Sequence, residues 1–133
     1  MTRQPERKLV LLVDDDPAWR ALMRDELADA GLDAIPARSP EEARRCLAEK
    51  RISLVVLDAL FGESLEPLGL DLAREMRQNK AWKDIPIVFC SVAVNGPARE
   101  SMEEFTGNEF IMLKPFNFTE FSRIVQAALG GKT

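Results

Sequence analysis

Histidine is absent from the 133 residues, and cysteine occurs only twice. Without histidine the chain has no Ser–His–Asp triad, no HExxH zinc site and no phosphohistidine of its own. Cys46 and Cys90 are too far apart for a CxxC pair, so neither a disulfide framework nor a thiolate metal site is expected. Both read as small core residues. Positive charge is also scarce: 18 Lys and Arg face 22 Asp and Glu, a net charge of -4. With no cationic excess to neutralise phosphates, nucleic acid is not expected to be the main partner through this domain. No apolar run is long enough to cross a bilayer, and no membrane partner is expected. Met1–Lys8 is polar and lacks the apolar segment of a signal peptide, so the expected compartment is the cytoplasm. Repeats, low-complexity tracts and linkers rich in Gly, Ser or Pro are missing too. The chain therefore reads as a single domain over residues 1–133, with its core at about 8–129. Chemistry is left to carboxylates, lysine, hydroxyls or a hard metal ion.

The remainder is 46% hydrophobic and 30% charged, the balance of a globular domain with a core. The apolar run Leu9–Val13 suits a strand buried on both faces and ends at Asp14-Asp15-Asp16. Pro17 then opens a helix with Asp16 as N-cap, Met23 and Leu27 on one face and Gly31 at its end. A weaker strand over Leu32–Ala37 leads into Ser39-Pro40-Glu41-Glu42, a capping box for a helix to about Lys50. Strands follow at Ile52–Leu57, Ile85–Cys90 and Phe110–Leu113, with helices at about Leu70–Gln78, Ala98–Phe105 and Phe118–Leu129. Five strands alternating with five helices imply an α/β fold: a doubly wound five-stranded parallel sheet with helices on both faces. Such sheets bind ligands beyond the carboxyl ends of their strands, where the strand order reverses.

Four of the five expected strands carry polar residues at that end: Asp14-Asp15, Asp58, Ser91 and Lys114. Each has an ordinary explanation alone. Asp58 and Ser91 can satisfy local backbone, Lys114 can be a solvated lysine before a turn proline, and Asp16 is most simply a helix cap. Asp14 and Asp15 are harder to dismiss, because adjacent carboxylates repel and a helix needs one cap. A carboxylate pair beside a buried strand end suits a hard cation of the magnesium type. Taken together the five residues suit phosphoryl transfer, which needs mainly positioning and neutralised charge. Asp14 and Asp15 can hold Mg2+. Asp58 can touch the metal and offer an oxygen nucleophile, while Lys114 and Ser91 contact the phosphoryl oxygens. The product would be an aspartyl phosphate.

These segments resemble the receiver domain of two-component response regulators. The resemblance runs through Val13–Pro17 with Arg20, Met23, Leu27 and Gly31, then Leu54–Asp58, Pro86–Ser91 and Lys114-Pro115-Phe116. It covers about Leu9–Leu129 and is closest to stand-alone, chemotaxis-type receivers. It implies the flavodoxin-like strand order 2-1-3-4-5 and Asp58 as phospho-acceptor. It further implies Asp14, Asp15, Asp58 and the Leu60 carbonyl as ligands of a Mg2+ cofactor, Ser91 as switch hydroxyl and Lys114 as phosphate-contacting lysine. A cis Lys114-Pro115 bond is expected. The implied partners are a histidine kinase or histidine phosphotransfer protein and an unidentified output protein. The chain would not be a dedicated enzyme, although Mg-dependent self-phosphorylation and slow self-dephosphorylation are expected of it. It reads as a stand-alone switch with no output domain, or as a piece of a longer regulator.

Two departures stand out. The family's usual Met-Pro after the acceptor is replaced by Phe61-Gly62, and its glycine falls at Gly69, which implies three extra residues within Phe61–Leu68. The insertion is either a tolerated surface loop or a lid that alters access or partner choice. Three residues before Lys114, where the family commonly has an aromatic, stands Ile111, with Phe110 one residue earlier; the two must face opposite sides of the strand.

Rival readings fit less well. A magnesium phosphatase with an Asp nucleophile needs a general acid where Leu60 stands. A nucleotide or flavin binder needs a phosphate loop where three carboxylates stand. A phosphorylation-independent interaction module would not need this set of acids, hydroxyl and lysine intact.

Overall fold

The computed structural model describes residues 7–92, 96–106 and 110–130. Its strands are β1 (Leu9–Val13), β2 (Asp33–Ala37), β3 (Leu54–Leu57), β4 (Ile87–Val92) and β5 (Ile111–Lys114). The helices are α1 (Pro17–Asp29), α2 (Pro40–Glu49), α3 (Leu68–Gln78), α4 (Pro97–Thr106) and α5 (Phe118–Ala128). All pairings are parallel, as the alternation implied, and the order is β2-β1-β3-β4-β5, as the resemblance implied. The reversal falls between β1 and β3, which brings the ends of the strands carrying Asp14 and Asp58 side by side.

The central strands are apolar but for Ser91 of β4, because both of their faces are covered. Leu11, Val13, Val55, Leu57, Ile87 and Phe89 pack with residues of α2, α3 and α4, such as Leu47, Leu72, Met76 and Met102. The intervening Val10, Leu12, Leu54, Val56, Val88 and Cys90 pack with Met23 and Leu27 of α1 and Phe121, Ile124 and Val125 of α5. Ile111 joins the first cluster and Phe110 the second, so the α4-facing position holds the isoleucine. The aromatic on that side is Phe105 of α4, tilted against Phe89 with centroids 6.2 Å apart. Phe116, Phe118 and Phe121 pack against one another, and Trp19 of α1 stacks on Phe116 at 4.8 Å.

Helix starts follow the expected caps. Asp16 accepts from the Ala18 amide at 2.9 Å, and Ser39 from that of Glu42 at 3.2 Å. The second arm of the α2 box reaches one residue further back than expected, because Glu42 accepts from the Arg38 amide. Four strands begin later than expected: Leu32, Ile52, Ile85 and Phe110 precede the first paired positions. β4 in turn runs past Ser91, because Val92 still pairs with Lys114.

Candidate functional site

The three consecutive acids after β1 have separate roles. Asp16 caps α1. Asp14 turns inward and is 1% exposed, with Oδ1 accepting from the Asp16 amide at 2.9 Å. Asp15 stays exposed, and its Oδ2 accepts from the Gly62 amide at 3.1 Å. Asp58 follows β3 and is 7% exposed, with Oδ1 accepting from the Leu60 amide at 3.1 Å. Carboxylate oxygens of Asp14, Asp15 and Asp58 all lie within 4.8 Å of one another, a spacing that one small oxygen-loving cation can bridge.

Lys114, at the end of β5, completes the group. Its Nζ donates to Asp14 Oδ2 at 2.7 Å and to Asp58 Oδ2 at 3.3 Å, and lies 5.6 Å above the Trp19 ring. The Lys114-Pro115 peptide is cis, as expected. Burial pushes the Asp58 carboxyl up to about 6, with Lys114 opposing the shift and Asp14 adding to it. Burial likewise raises Asp14, against the hydrogen bond from Lys114. Burial alone would lower the Lys114 ammonium, but the two carboxylates outweigh it and hold it above its usual range.

Ser91 is completely buried, and its Oγ has no hydrogen-bond partner among the described residues. An unsatisfied buried hydroxyl is costly, and a free donor near the end of the strand next to the one that leads to Asp58 suits an incoming oxyanion. Asp15, Trp19, Asp58, Leu60, Leu65 and Lys114 help line a cavity of about 400 Å³ at this end of the sheet. Asp58 also depends on Gly69 at the start of α3: a Cβ there would fall on the Asp58 carbonyl, and only glycine allows that approach.

The structure thus brings Asp14, Asp15, Asp58, Leu60 and Lys114 together, with Ser91 on the neighbouring strand. The Leu60 contact seen here is made by its amide. Ala93, two residues after Ser91, lies outside the described residues. Three further residues shape the site: Arg20, which donates to the Asp14 carbonyl at 2.6 Å, Trp19 and Gly62. Arg20 stands among the residues that carry the receiver resemblance; Trp19 gives no periodic signal, and only its place in the first turn of the helix after the acids points to it.

The family model for the response regulator receiver domain matches residues 10–126. Among curated relatives, the phosphate regulon transcriptional regulatory protein of Pseudomonas aeruginosa is 26% identical over 92% of this chain and 52% of its own. Protein PetR of Rhodobacter capsulatus is 32% identical over 90% of this chain and 48% of its own. The chain thus spans about half the length of these relatives. A response regulator receiver protein from Pseudomonas putida superposes with a TM-score of 0.80 at 26% identity, over 93% of this chain and 99% of that one. A chemotaxis protein of Vibrio cholerae shares the fold with a TM-score of 0.80 at 22% identity, over 92% of this chain and 99% of that one.

Proposed function

The chain belongs to the response regulator receiver domain family, and from that premise we propose that Asp58 accepts a phosphoryl group from the histidine of a partner kinase or phosphotransfer protein. The observation that carries this reading is the pairing of a buried carboxylate, held by Lys114, with the unpartnered Ser91 hydroxyl. An Asp58 oxygen supplies the electron pair for the new O–P bond. The P–N bond of the donor breaks with its pair left on the imidazole nitrogen. Lys114 moves its ammonium from the carboxylates toward the phosphoryl oxygens, and Ser91 donates its idle hydrogen to one of them. Asp14, Asp15, Asp58 and the Leu60 carbonyl would hold a magnesium ion, whose charge, when bound, neutralises the phosphoryl oxygens.

The phosphoryl group then shifts a two-state equilibrium of the α4–β5 face, and the output is protein–protein interaction in the cytoplasm. A phosphorylation-independent module on this fold would leave the buried Ser91 hydroxyl without purpose. The test uses the full chain, a small phosphodonor and Mg2+, read by intact mass. Wild type should gain one base-labile phosphoryl group. Asp58→Asn should gain none while keeping its circular dichroism spectrum, since the side chains are nearly isosteric. Equal labelling of the variant would remove Asp58 from its role.

A further inference from the structure

The three extra residues after the acceptor lie in a closed hairpin. Phe61 and Glu66 pair through both amides, at 2.8 and 2.9 Å, and the Leu65 amide donates to the Gly62 carbonyl at 3.2 Å. Phe61 is buried in the core and anchors the base. The Gly62 amide ties the other side to Asp15. Leu65 has a positive φ of 52°, uncommon for a leucine, and is 48% exposed where it lines the Asp58 cavity. Glu63 and Glu66 are exposed and make no ion pair among the described residues. Because Glu63 follows the pinned Gly62, bond lengths alone keep its carboxylate within roughly 13 Å of Asp15.

The charge balance gives these two glutamates consequence. Asp14, Asp15, Asp16 and Asp58 against Lys114 and Arg20 leave a formal excess of two negative charges. A divalent ion held by the carboxylates cancels the excess, and Glu63 and Glu66 restore it to two. A free acyl phosphate arrives as a dianion with no other contact to offset the repulsion. A phosphohistidine on a protein surface arrives with an interface, and exposed Leu65 and Val92 at the cavity mouth offer apolar area for it to cover.

We propose that the Phe61–Glu66 hairpin selects the phosphodonor by charge, slowing transfer from free dianionic acyl phosphates so that Asp58 takes its phosphoryl group from a protein-borne phosphohistidine. The inference rests on the reading of Asp58 as acceptor. In each case the Asp58 oxygen forms the O–P bond. The donor's P–N bond, or the P–O bond of an acyl phosphate, breaks with its electron pair on the leaving group.

The test uses the full chain at saturating Mg2+ with two small donors, acetyl phosphate as dianion and phosphoramidate as monoanion. Wild type is compared with Glu63→Gln/Glu66→Gln and with a chain lacking Glu63, Ser64 and Leu65. The double variant should react with acetyl phosphate about fivefold faster than wild type at 0.01 M ionic strength, falling below about twofold at 0.5 M. The gain with phosphoramidate should be smaller. Equal rates of wild type and double variant at low ionic strength overturn the proposal. So does acceleration that survives high salt, or that only the shortened chain shows, because the barrier is then one of shape. If no protein is labelled at Asp58 by either donor, the acceptor reading itself fails.

Discussion

Lys114 lies closer to Asp14 than to the acceptor, 2.7 Å from Asp14 Oδ2 and 3.3 Å from Asp58 Oδ2. One ammonium therefore compensates the most buried acid of the site as well as the acceptor.

Lys114→Met should have two effects. Without the ammonium, Asp14 is left buried and unpaired, so the metal-free protein should lose about 3 kcal/mol of stability. Removing a positive charge from beside the ligands should at the same time strengthen Mg2+ binding, by roughly tenfold if about 1.4 kcal/mol of repulsion is relieved. Melting temperature followed through a Mg2+ titration reads both. A weaker Mg2+ response in the variant would contradict Asp14 and Asp58 as ligands.

The raised Asp58 carboxyl gives the metal-free protein a definite pH dependence. Its folded-state value of about 6 lies above the ordinary 3.8, so the native state holds this proton more tightly than the unfolded chain. The resulting stability is fully present below about pH 4 and is lost as pH rises through about 6. Asp14, also raised by burial, acts in the same direction. Urea denaturation without divalent ions should show the protein more stable at pH 5 than at pH 7.5, by about 1 kcal/mol from Asp58 alone. Asp58→Asn should flatten most of that difference. Saturating Mg2+, which needs the ionised carboxylates, should have its largest effect above pH 6.

Much of the site was legible because buried parallel strands are apolar to their last residue, so a charge just beyond one stands out. Asp14, Asp15, Asp58 and Lys114 were found in this way, and the strand order brings them together. Strand starts were less legible. Ile52 and Ile85 are as apolar as the residues they precede, and only pairing such as Val10 with Leu54 and Val55 with Ile87 decides where a strand begins. The link between Gly62 and Asp15 spans 47 residues and uses a backbone amide, which leaves no trace in side-chain pattern. The stacking of Trp19 on Phe116, and through it on Phe121, depends on how α1 and α5 pack, which no local signal encodes.

If Asp58 is phosphorylated as proposed, Leu60 should bear on how long the phosphorylated form lasts. Hydrolysis of an aspartyl phosphate needs a water held in line with phosphorus, and Leu60 lines the cavity with a side chain that neither donates nor accepts a hydrogen bond. Slow self-dephosphorylation is expected. Leu60→Asn and Leu60→Glu should each speed the decay, by about tenfold for every 1.4 kcal/mol of transition-state stabilisation gained. The measurement is loss of phosphoprotein in Mg2+ without any partner. Wild-type decay as fast as that of the variants would show that something other than Leu60 sets the lifetime.

The idle hydroxyl of Ser91 sets robustness against responsiveness. A resting protein freed of that unsatisfied donor, as in Ser91→Ala, would be the sturdier molecule, because the cost of burying the group disappears. If Asp58 is phosphorylated as proposed, it would also have discarded a donor for the phosphoryl oxygens. Laboratory selection for heat tolerance alone would therefore favour a chain that folds better and signals worse. On the proposed role of Asp58, the imperfection at this one oxygen is kept for the sake of the signal.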